Sequence, residues 1–260
     1  MTEPLLSIRG IEKRFGGLVA LAGVSMDVPA GLVYGLIGPN GSGKTTLFNI
    51  VSGFMRQDAG TVTFDGRDIG RASPHKVARL GLCRTFQATA CPTRMTVMEN
   101  MLLAPQDQLG EGFVNLITRP HRVRSQEKAY RERARELLAI VNLAGKADEY
   151  AGSLSGGQKK LLALAQILMA DPKLILLDEP VAGVNPVLAE EIAGVIRRLS
   201  VEGRNFLIVE HNMHFIRSTC DRISVLDAGR VIAEGEPADV LGREDVLRAY
   251  LAGPATRPAA

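Results

Sequence analysis

Tryptophan is absent from this 260-residue chain, and aromatic residues of all kinds make up only 5% of it. The formal net charge is just +3, from 31 Lys and Arg against 28 Asp and Glu. Together these remove the basic and aromatic interleaving from which nucleic-acid surfaces are built, and give no cause for attraction to a membrane surface. Cysteine is equally sparse. Cys83, Cys91 and Cys220 lie far apart, with no CxxC pair and no histidine at metal-ligand spacing. That excludes a disulfide framework or a zinc module, and leaves reduced thiols in a cytosolic protein as the expectation. Long apolar runs are missing too. The strongest, "LLALAQILMA", is interrupted by Gln166 and is about half the length a membrane span needs. The opening "MTEPLLSIRG" carries no basic segment ahead of an apolar one, so no secretory signal is expected.

What is present is a globular composition, 46% apolar and 23% charged, in a chain long enough for one large domain or two lobes. The first sixty residues read as short strands: "LLSIRGIEKRF", "LAGVSMDVPAG" and "LVYGLIG". The last is almost continuously apolar, as in a parallel strand buried on both faces. "GTVTFDGRDI" reads as a strand ending in an Asp-Gly turn, and Ser73-Pro74 opens a short helix. "LCRTFQ" is a further strand. From Thr96 to about Leu143 the pattern is helical, with Thr96 and Glu99 forming a capping box. An apolar stripe runs through Tyr130, Ala134, Leu137, Leu138 and Val141, and an irregular excursion covers 106–122. The arginines of this region read as a solvated helix face. Strand "KLILL", a helix capped by Asn185 with Pro186 in its first turn, strand "NFLIVE", the hairpin "RISVLDAGRVIAEG" and the helix "REDVLRAYLA" follow. The tail "GPATRPAA" is expected to fray. Strand–helix alternation on both sides of a helical middle predicts an α/β core with an inserted helical lobe.

Chemistry concentrates in three places. "GPNGSGKT", Gly38 to Thr45, fits the phosphate-loop pattern between a strand and a helix. Its glycines let several backbone N–H groups converge on one phosphate, and the helix adds its positive N-terminus. Lys44 would supply a point charge to the β- and γ-phosphates, and the Thr45 hydroxyl a Mg²⁺ ligand. "LILLDEP" ends a buried strand on Asp178 and Glu179. Asp178 can stand beside the magnesium position, while Glu179 projects differently and can polarise a water aimed at the γ-phosphate. An ordinary helix cap would use the same acids, but the phosphate loop upstream favours the catalytic reading. "LSGGQ" places Ser155, Gly156 and Gly157 at a helix start, an anion-binding half-site with no lysine of its own. One full phosphate site and one half-site in a single chain point to completion across a dimer.

At this point the sequence resembles the ATP-binding subunits of ABC transporters. "GPNGSGKT", "LSGGQ" and "LILLDEP" stand in that family's order, 111 residues from Lys44 to Ser155 and 23 from Ser155 to Asp178. The resemblance covers Leu6 to about Ala252. It implies a P-loop ATPase core, a mostly parallel sheet with flanking helices, plus an N-terminal antiparallel β subdomain and an inserted α-helical subdomain. The implied boundaries are 1–87 and 171–235 for core and β subdomain, 88–170 for the helical subdomain, and 236–260 for a C-terminal helix and tail. It implies ATP contacts at Phe15, which would stack on adenine, and at Gly38, Pro39, Asn40, Gly41, Ser42, Gly43, Lys44, Thr45 and Thr46. Ser155, Gly156, Gly157 and Gln158 would meet the ATP of an opposing subunit. Mg²⁺ would be held by Thr45, Gln87 and Asp178, and catalysis carried by Glu179, His211 and Gln87. Without the family, Phe15 would pass for a core residue, Gln87 for a polar strand end and His211 for an unremarkable histidine.

The resemblance is nearest to one of the two ATPase subunits of branched-chain (hydrophobic) amino-acid importers. "GLCRTFQ", "MTVMENMLLA", "QLGEGFVNLITRPHRVRSQEKA" and the segment from Cys220 to Ala252 carry it. Two departures stand out. Many members of the wider family have Asp where "VAGVNP" has Asn185, although this branch commonly has Asn. Several importers of the branch also show a less regular signature than this "LSGGQ". What the resemblance implies is an ATP-driven clamp at the cytoplasmic face of the membrane. Its partners would be a second ATP-binding subunit, two transmembrane permeases and an extracytoplasmic solute-binding protein, with no nucleic acid. A lipopolysaccharide-export-type ATPase and a non-transport ABC ATPase with soluble partners are the alternative readings.

Overall fold

The computed structural model describes residues 3–85, 91–105, 108–109 and 118–251. The chain divides into two compact units. One comprises Met1–Arg84, Lys173–Ala182 and Ile196–Ala260; the other comprises Thr85–Pro172 and Gly183–Val195.

The first unit is built from two sheets. Strands β1 (Leu6–Phe15) and β2 (Leu18–Val28) form an antiparallel hairpin around the two-residue turn Gly16-Gly17. β4 (Ala59–Phe64) pairs antiparallel with the other edge of β1, and the short β5 (Arg67–Asp68) completes the order β2-β1-β4-β5. The Asp-Gly turn read from the sequence joins β4 to β5. Asp65 and Gly66 both take positive φ, the conformation that matches the twist of a tight hairpin.

The second sheet has six strands in the order β10-β9-β3-β8-β7-β6. β3 (Val33–Ile37), β6 (Leu82–Arg84), β7 (Leu174–Asp178), β8 (Asn205–Val209) and β9 (Arg222–Asp227) run parallel. β10 (Arg230–Gly235) returns antiparallel to β9, giving the expected hairpin through Ala228-Gly229, again at positive φ. β3 and β7 are buried at every position, which explains why neither shows apolar–polar alternation. The core between the sheets joins Leu6, Ile8, Val24 and Phe64 to Leu47, Phe48 and Val51 of helix α1 (Lys44–Val51), and to Leu176 and Leu207. Burial of each such side chain contributes roughly 1.5–3 kcal/mol. Helices α2 (Pro74–Arg79), α7 (Met213–Thr219), α8 (Pro237–Val240) and α9 (Glu244–Leu251) also belong to this unit.

The helical unit holds α3 (Val97–Leu102), α4 (Pro120–Ile140), α5 (Gly156–Leu168) and the start of α6 (Pro186–Val201). α3 opens on the predicted box: Thr96 Oγ1 accepts from Glu99 N–H, and Glu99 returns a carboxylate oxygen to Thr96 N–H. On the α4 stripe Ala134, Leu137 and Leu138 are buried, as is Val141 just beyond the helix. The irregular excursion was expected to run to 122, but Pro120 already stands in the first turn of α4. There its missing N–H costs nothing, because first-turn N–H groups have no partner within the helix. The rest of that excursion, and the tail "GPATRPAA", fall largely or wholly outside the described residues. Asn100, fully buried, donates its amide to the carbonyls of Pro92 and Thr96 and so pins the approach to α3. The three cysteines are free thiols. Among the described residues no helix is long and apolar enough to cross a membrane.

Candidate functional site

The parallel strands fix where chemistry occurs, because their carboxyl ends lie level along one edge of the sheet. Leu36 of β3 and Asp178 of β7 both register with Val209 of β8, between them. The phosphate loop leaves β3, the acidic pair ends β7, and Glu210-His211 follow β8.

The phosphate loop is wedged in place from behind. A Cβ at Gly38 would lie 2.0 Å from the Leu226 carbonyl, and one at Gly43 would lie 2.6 Å from the Ala20 carbonyl. Gly41 has open space around it but a φ of 80°, so there the requirement is conformational. α1 begins without a side-chain cap, and the N–H groups of Gly43 to Thr46 have no partner among the described residues. Ser42 Oγ is buried and also unpartnered. Lys44, itself buried, curls back to donate to the carbonyls of Gly38 (2.8 Å) and Pro39 (2.9 Å). Burial holds its ammonium pKa below the usual lysine value, partly opposed by the nearby Glu179 and Asp178. A cradle of orphan N–H donors, a hydroxyl and a lysine suits a polyphosphate.

A cleft of about 300 Å³ opens at this loop, lined by Phe15, Val19, Asn40, Lys44, Glu179 and His211 among others. Phe15 is 45% exposed. The ordinary core role is thereby excluded, and an exposed aromatic at the mouth of a phosphate cleft is an available platform for a flat ring.

At the end of β7 the two acids have different surroundings. Asp178 is buried, and its carboxylate accepts from Arg84 Nη2 at 2.7 Å, with side-chain exposures of 4% and 8%. Arg84 also donates to Asn49 Oδ1 and Ser52 Oγ of α1 and its immediate C-terminal neighbour, and lies over the Phe48 ring. Glu179 takes a positive φ of 50°, uncommon for a residue with a Cβ. This turn breaks the strand, and Glu179 Oε1 meets His211 Nε2 at 2.8 Å. The sequence reading brought Glu179 and His211 separately to this site; the structure joins them directly. It also adds Arg84, for which "LCRTFQ" held no signal, since only the pairing of β6 with β7 reveals its partner. Gln87 lies outside the described residues.

Breaking this buried pair is expected to be costly. Arg84→Met should lower the unfolding free energy by about 3–5 kcal/mol, because it removes the cation and leaves the carboxylate buried. Urea denaturation tests this; a loss below about 1 kcal/mol, as for a surface pair, would contradict it.

Ser155 lies in the helical unit, where its hydroxyl accepts from Gln158 N–H while Gln158 Oε1 accepts from Ser155 N–H. This is a second capping box, legible as S-x-x-Q but not anticipated. It gives Ser155 and Gln158 a local role in starting α5. Gly157 is required by packing, since a Cβ there would lie 2.0 Å from Leu188 Cδ2, whereas Gly156 is exposed with open space around it. Asn185 Oδ1 accepts from Leu188 N–H at 2.9 Å, the N-cap that its side chain predicts.

A single side chain of each kind at the loop suits Mg²⁺, which binds a phosphate-bound nucleotide through few protein oxygens. Thr45, which lines the cleft, and Asp178, which is close enough to influence the ionisation of Lys44, are side-chain oxygens of the kind Mg²⁺ takes. The donor set fits such an ion.

Residues 21–182 match the family model described as ABC transporter. The probable branched-chain amino acid transport ATP-binding protein LivG of Archaeoglobus fulgidus is 42% identical over 247 residues, 95% of each chain. The high-affinity branched-chain amino acid transport ATP-binding protein BraF of Pseudomonas aeruginosa is 37% identical, over 96% of this chain and 99% of that one. Among solved structures, a nucleotide-free ATP-binding cassette from an ABC transporter superposes with a TM-score of 0.81 at 37% identity, covering 94% of this chain and 98% of that one. The ADP conformation of an ATP-binding cassette of an ABC transporter gives a TM-score of 0.82 at 37% identity, covering 96% and 99%.

Proposed function

This chain belongs to the family of ATP-binding subunits of ABC transporters and hydrolyses ATP, and from that premise we propose that it energises import of branched-chain or other hydrophobic amino acids. The observation that carries the substrate class is near-full-length similarity to relatives named for branched-chain amino acid transport. Related small amides and acids belong to the same proposal.

The proposed division of labour assigns 1–87 and 171–235 to the ATPase core and β subdomain, 88–170 to the helical subdomain and 236–260 to the C-terminal helix and tail. Phe15 stacks on the adenine, an interaction worth about 1–3 kcal/mol for a base on an aromatic ring. The loop from Gly38 to Thr46, with Pro39, Asn40, Gly41, Ser42 and Gly43 between them, holds the phosphates through its N–H groups. Lys44 exchanges two carbonyls of its own loop for phosphate oxygens. Thr45, Asp178 and Gln87 are the residues that would hold Mg²⁺, whose charge would offset that of the β- and γ-phosphates. Glu179 accepts the proton of the attacking water, and His211 contacts the γ-phosphate; the 2.8 Å bond between the two side chains supports their acting at one place.

Ser155, Gly156, Gly157 and Gln158 meet the ATP of the opposing subunit. The open surface at Gly156 supports that role, since a phosphate can approach the helix N-terminus there without meeting a side chain of Gly156. Two ATP-binding subunits close on two nucleotides at the cytoplasmic face of the membrane. They move two permease subunits, to which an extracytoplasmic solute-binding protein delivers the solute.

Solute uptake tests the reading. In cells whose only copy of the chain carries Glu179→Gln, uptake of labelled leucine is expected to fall to background. Unchanged leucine uptake with loss of urea or aromatic-acid uptake would narrow the proposal to its amides and acids and remove the branched-chain amino acids from it. Unchanged uptake of all of them would overturn the import role.

A further inference from the structure

We propose that Glu210 is a positioning residue that locks the loop after β8 to the loop after β7, so that His211 and Glu179 work as one unit. The proposal rests on the catalytic reading of those two residues. Glu210 is only 2% exposed, and among the described residues its carboxylate forms no ion pair. Instead it accepts three backbone N–H groups. One oxygen takes Val181 N–H at 2.9 Å; the other takes His211 N–H at 2.7 Å and Asn212 N–H at 3.1 Å.

A carboxylate buried without a cation is an expensive way to fill space, and it is tolerated here because both oxygens are satisfied. What the arrangement achieves is a cross-link. Val181 lies two residues beyond Glu179, and His211 directly follows Glu210. The regular pairing of β7 with β8 ends at Asp178 and Val209, where Glu179 N–H donates to the Val209 carbonyl at 2.9 Å. Beyond that point Glu210 continues the connection between the two strands through its side chain. The bond between Glu179 Oε1 and His211 Nε2 closes the same ring of contacts. Displacement of either loop would therefore shift the other, and the unusual backbone of Glu179 is held from both sides.

Glu210→Gln has nearly the same shape but only one oxygen. Its amide nitrogen must face a backbone N–H, so either the Val181 or the His211–Asn212 connection is lost. Among the described residues the hydrogen bonds of Glu210 go to Val181, His211 and Asn212 and none to the phosphate loop, so nucleotide affinity should be spared. The expected result for the full chain is a kcat lower by about 10- to 100-fold, with ATP affinity within about twofold of wild type. Glu210→Asp keeps both oxygens on a shorter reach and should lose less, about 3- to 10-fold.

The decisive measurement is a double-mutant cycle with His211→Ala, using steady-state ATP hydrolysis and nucleotide titration for each variant. If Glu210 acts through His211, Glu210→Gln should cost less than about threefold in the His211→Ala background. An equal cost in both backgrounds, a wild-type kcat in Glu210→Gln, or a loss confined to ATP affinity would each overturn the proposal. Full turnover in His211→Ala alone would instead overturn the catalytic reading beneath it. Should Glu210→Gln fail to fold, the same cycle run with Glu210→Asp decides the question by the same criteria.

Discussion

Glu179→Gln protein is expected to hydrolyse ATP about 10²–10⁴-fold more slowly than wild type, the usual contribution of a general base, and to accumulate as an ATP-bound dimer. The substitution keeps the size of the side chain, and an amide oxygen can still meet His211 Nε2 where the carboxylate now stands at 2.8 Å. The ability to take a proton from water is lost. Glu179 sits at a φ of 50°, which glycine reaches without strain and glutamate reaches at a cost of roughly 1–2 kcal/mol. Glu179→Gly therefore separates backbone from chemistry. It relieves the strain and should be at least as inactive as Glu179→Gln. Steady-state hydrolysis and size-exclusion chromatography with ATP measure both effects. Turnover near wild type in either variant would remove Glu179 from the reaction.

Lys44→Met carries the second large effect, and it should separate binding from stability. Lys44 donates to two carbonyls of its own loop, and in the ATP complex those donors would pass to phosphate oxygens. Charge-assisted hydrogen bonds of this kind are worth about 1.5–3 kcal/mol each, so loss of the ammonium should weaken ATP binding by about 10- to 100-fold or more. Stability without nucleotide should behave differently. Burial holds the Lys44 pKa below the unfolded value, so the unfolded chain binds this proton more readily than the folded one. Keeping Lys44 charged thus opposes folding at pH 7, and that penalty fades only as pH rises from the folded pKa towards the unfolded one. Lys44→Met should accordingly melt no lower than wild type in the absence of nucleotide while losing the stabilisation that ATP confers. A variant that melts well below wild type without nucleotide would show that the lysine supports the loop instead of waiting for phosphate.

Much of this site is written in short contiguous strings. Gly38 to Thr45 can be read because the loop's constraints are local: positive φ at Gly41 and Gly43, and close backbone neighbours at Gly38 and Gly43. Asp178 and Glu179 can be read because a fully buried strand ends on them. The hairpins at Asp65-Gly66 and Ala228-Gly229, and the capping box at Thr96, are likewise properties of adjacent residues.

What escaped the sequence depends on pairings between distant segments. Arg84 looks like any strand-end arginine until β6 is set against β7, which brings it to Asp178, 94 positions away. Glu210 closes the strand string "NFLIVE" with nothing in the sequence to name its partner, yet it is buried and its carboxylate accepts from Val181 N–H, 29 positions back. The first turn of α4 was missed for a different reason. Proline interrupts a pattern in the sequence but is well suited to a helix start, so Pro120 belongs to the helix instead of the excursion before it.

The central claim is that this subunit drives an importer, and the most direct test is to recover what it holds when its cycle is stopped. Tagged Glu179→Gln protein would be captured with ATP from detergent-solubilised native membranes, and the co-purifying chains identified. The account predicts two multi-span permeases together with a second ATP-binding subunit. Recovery of soluble partners alone, or of a homodimer bound to an export complex, would contradict it.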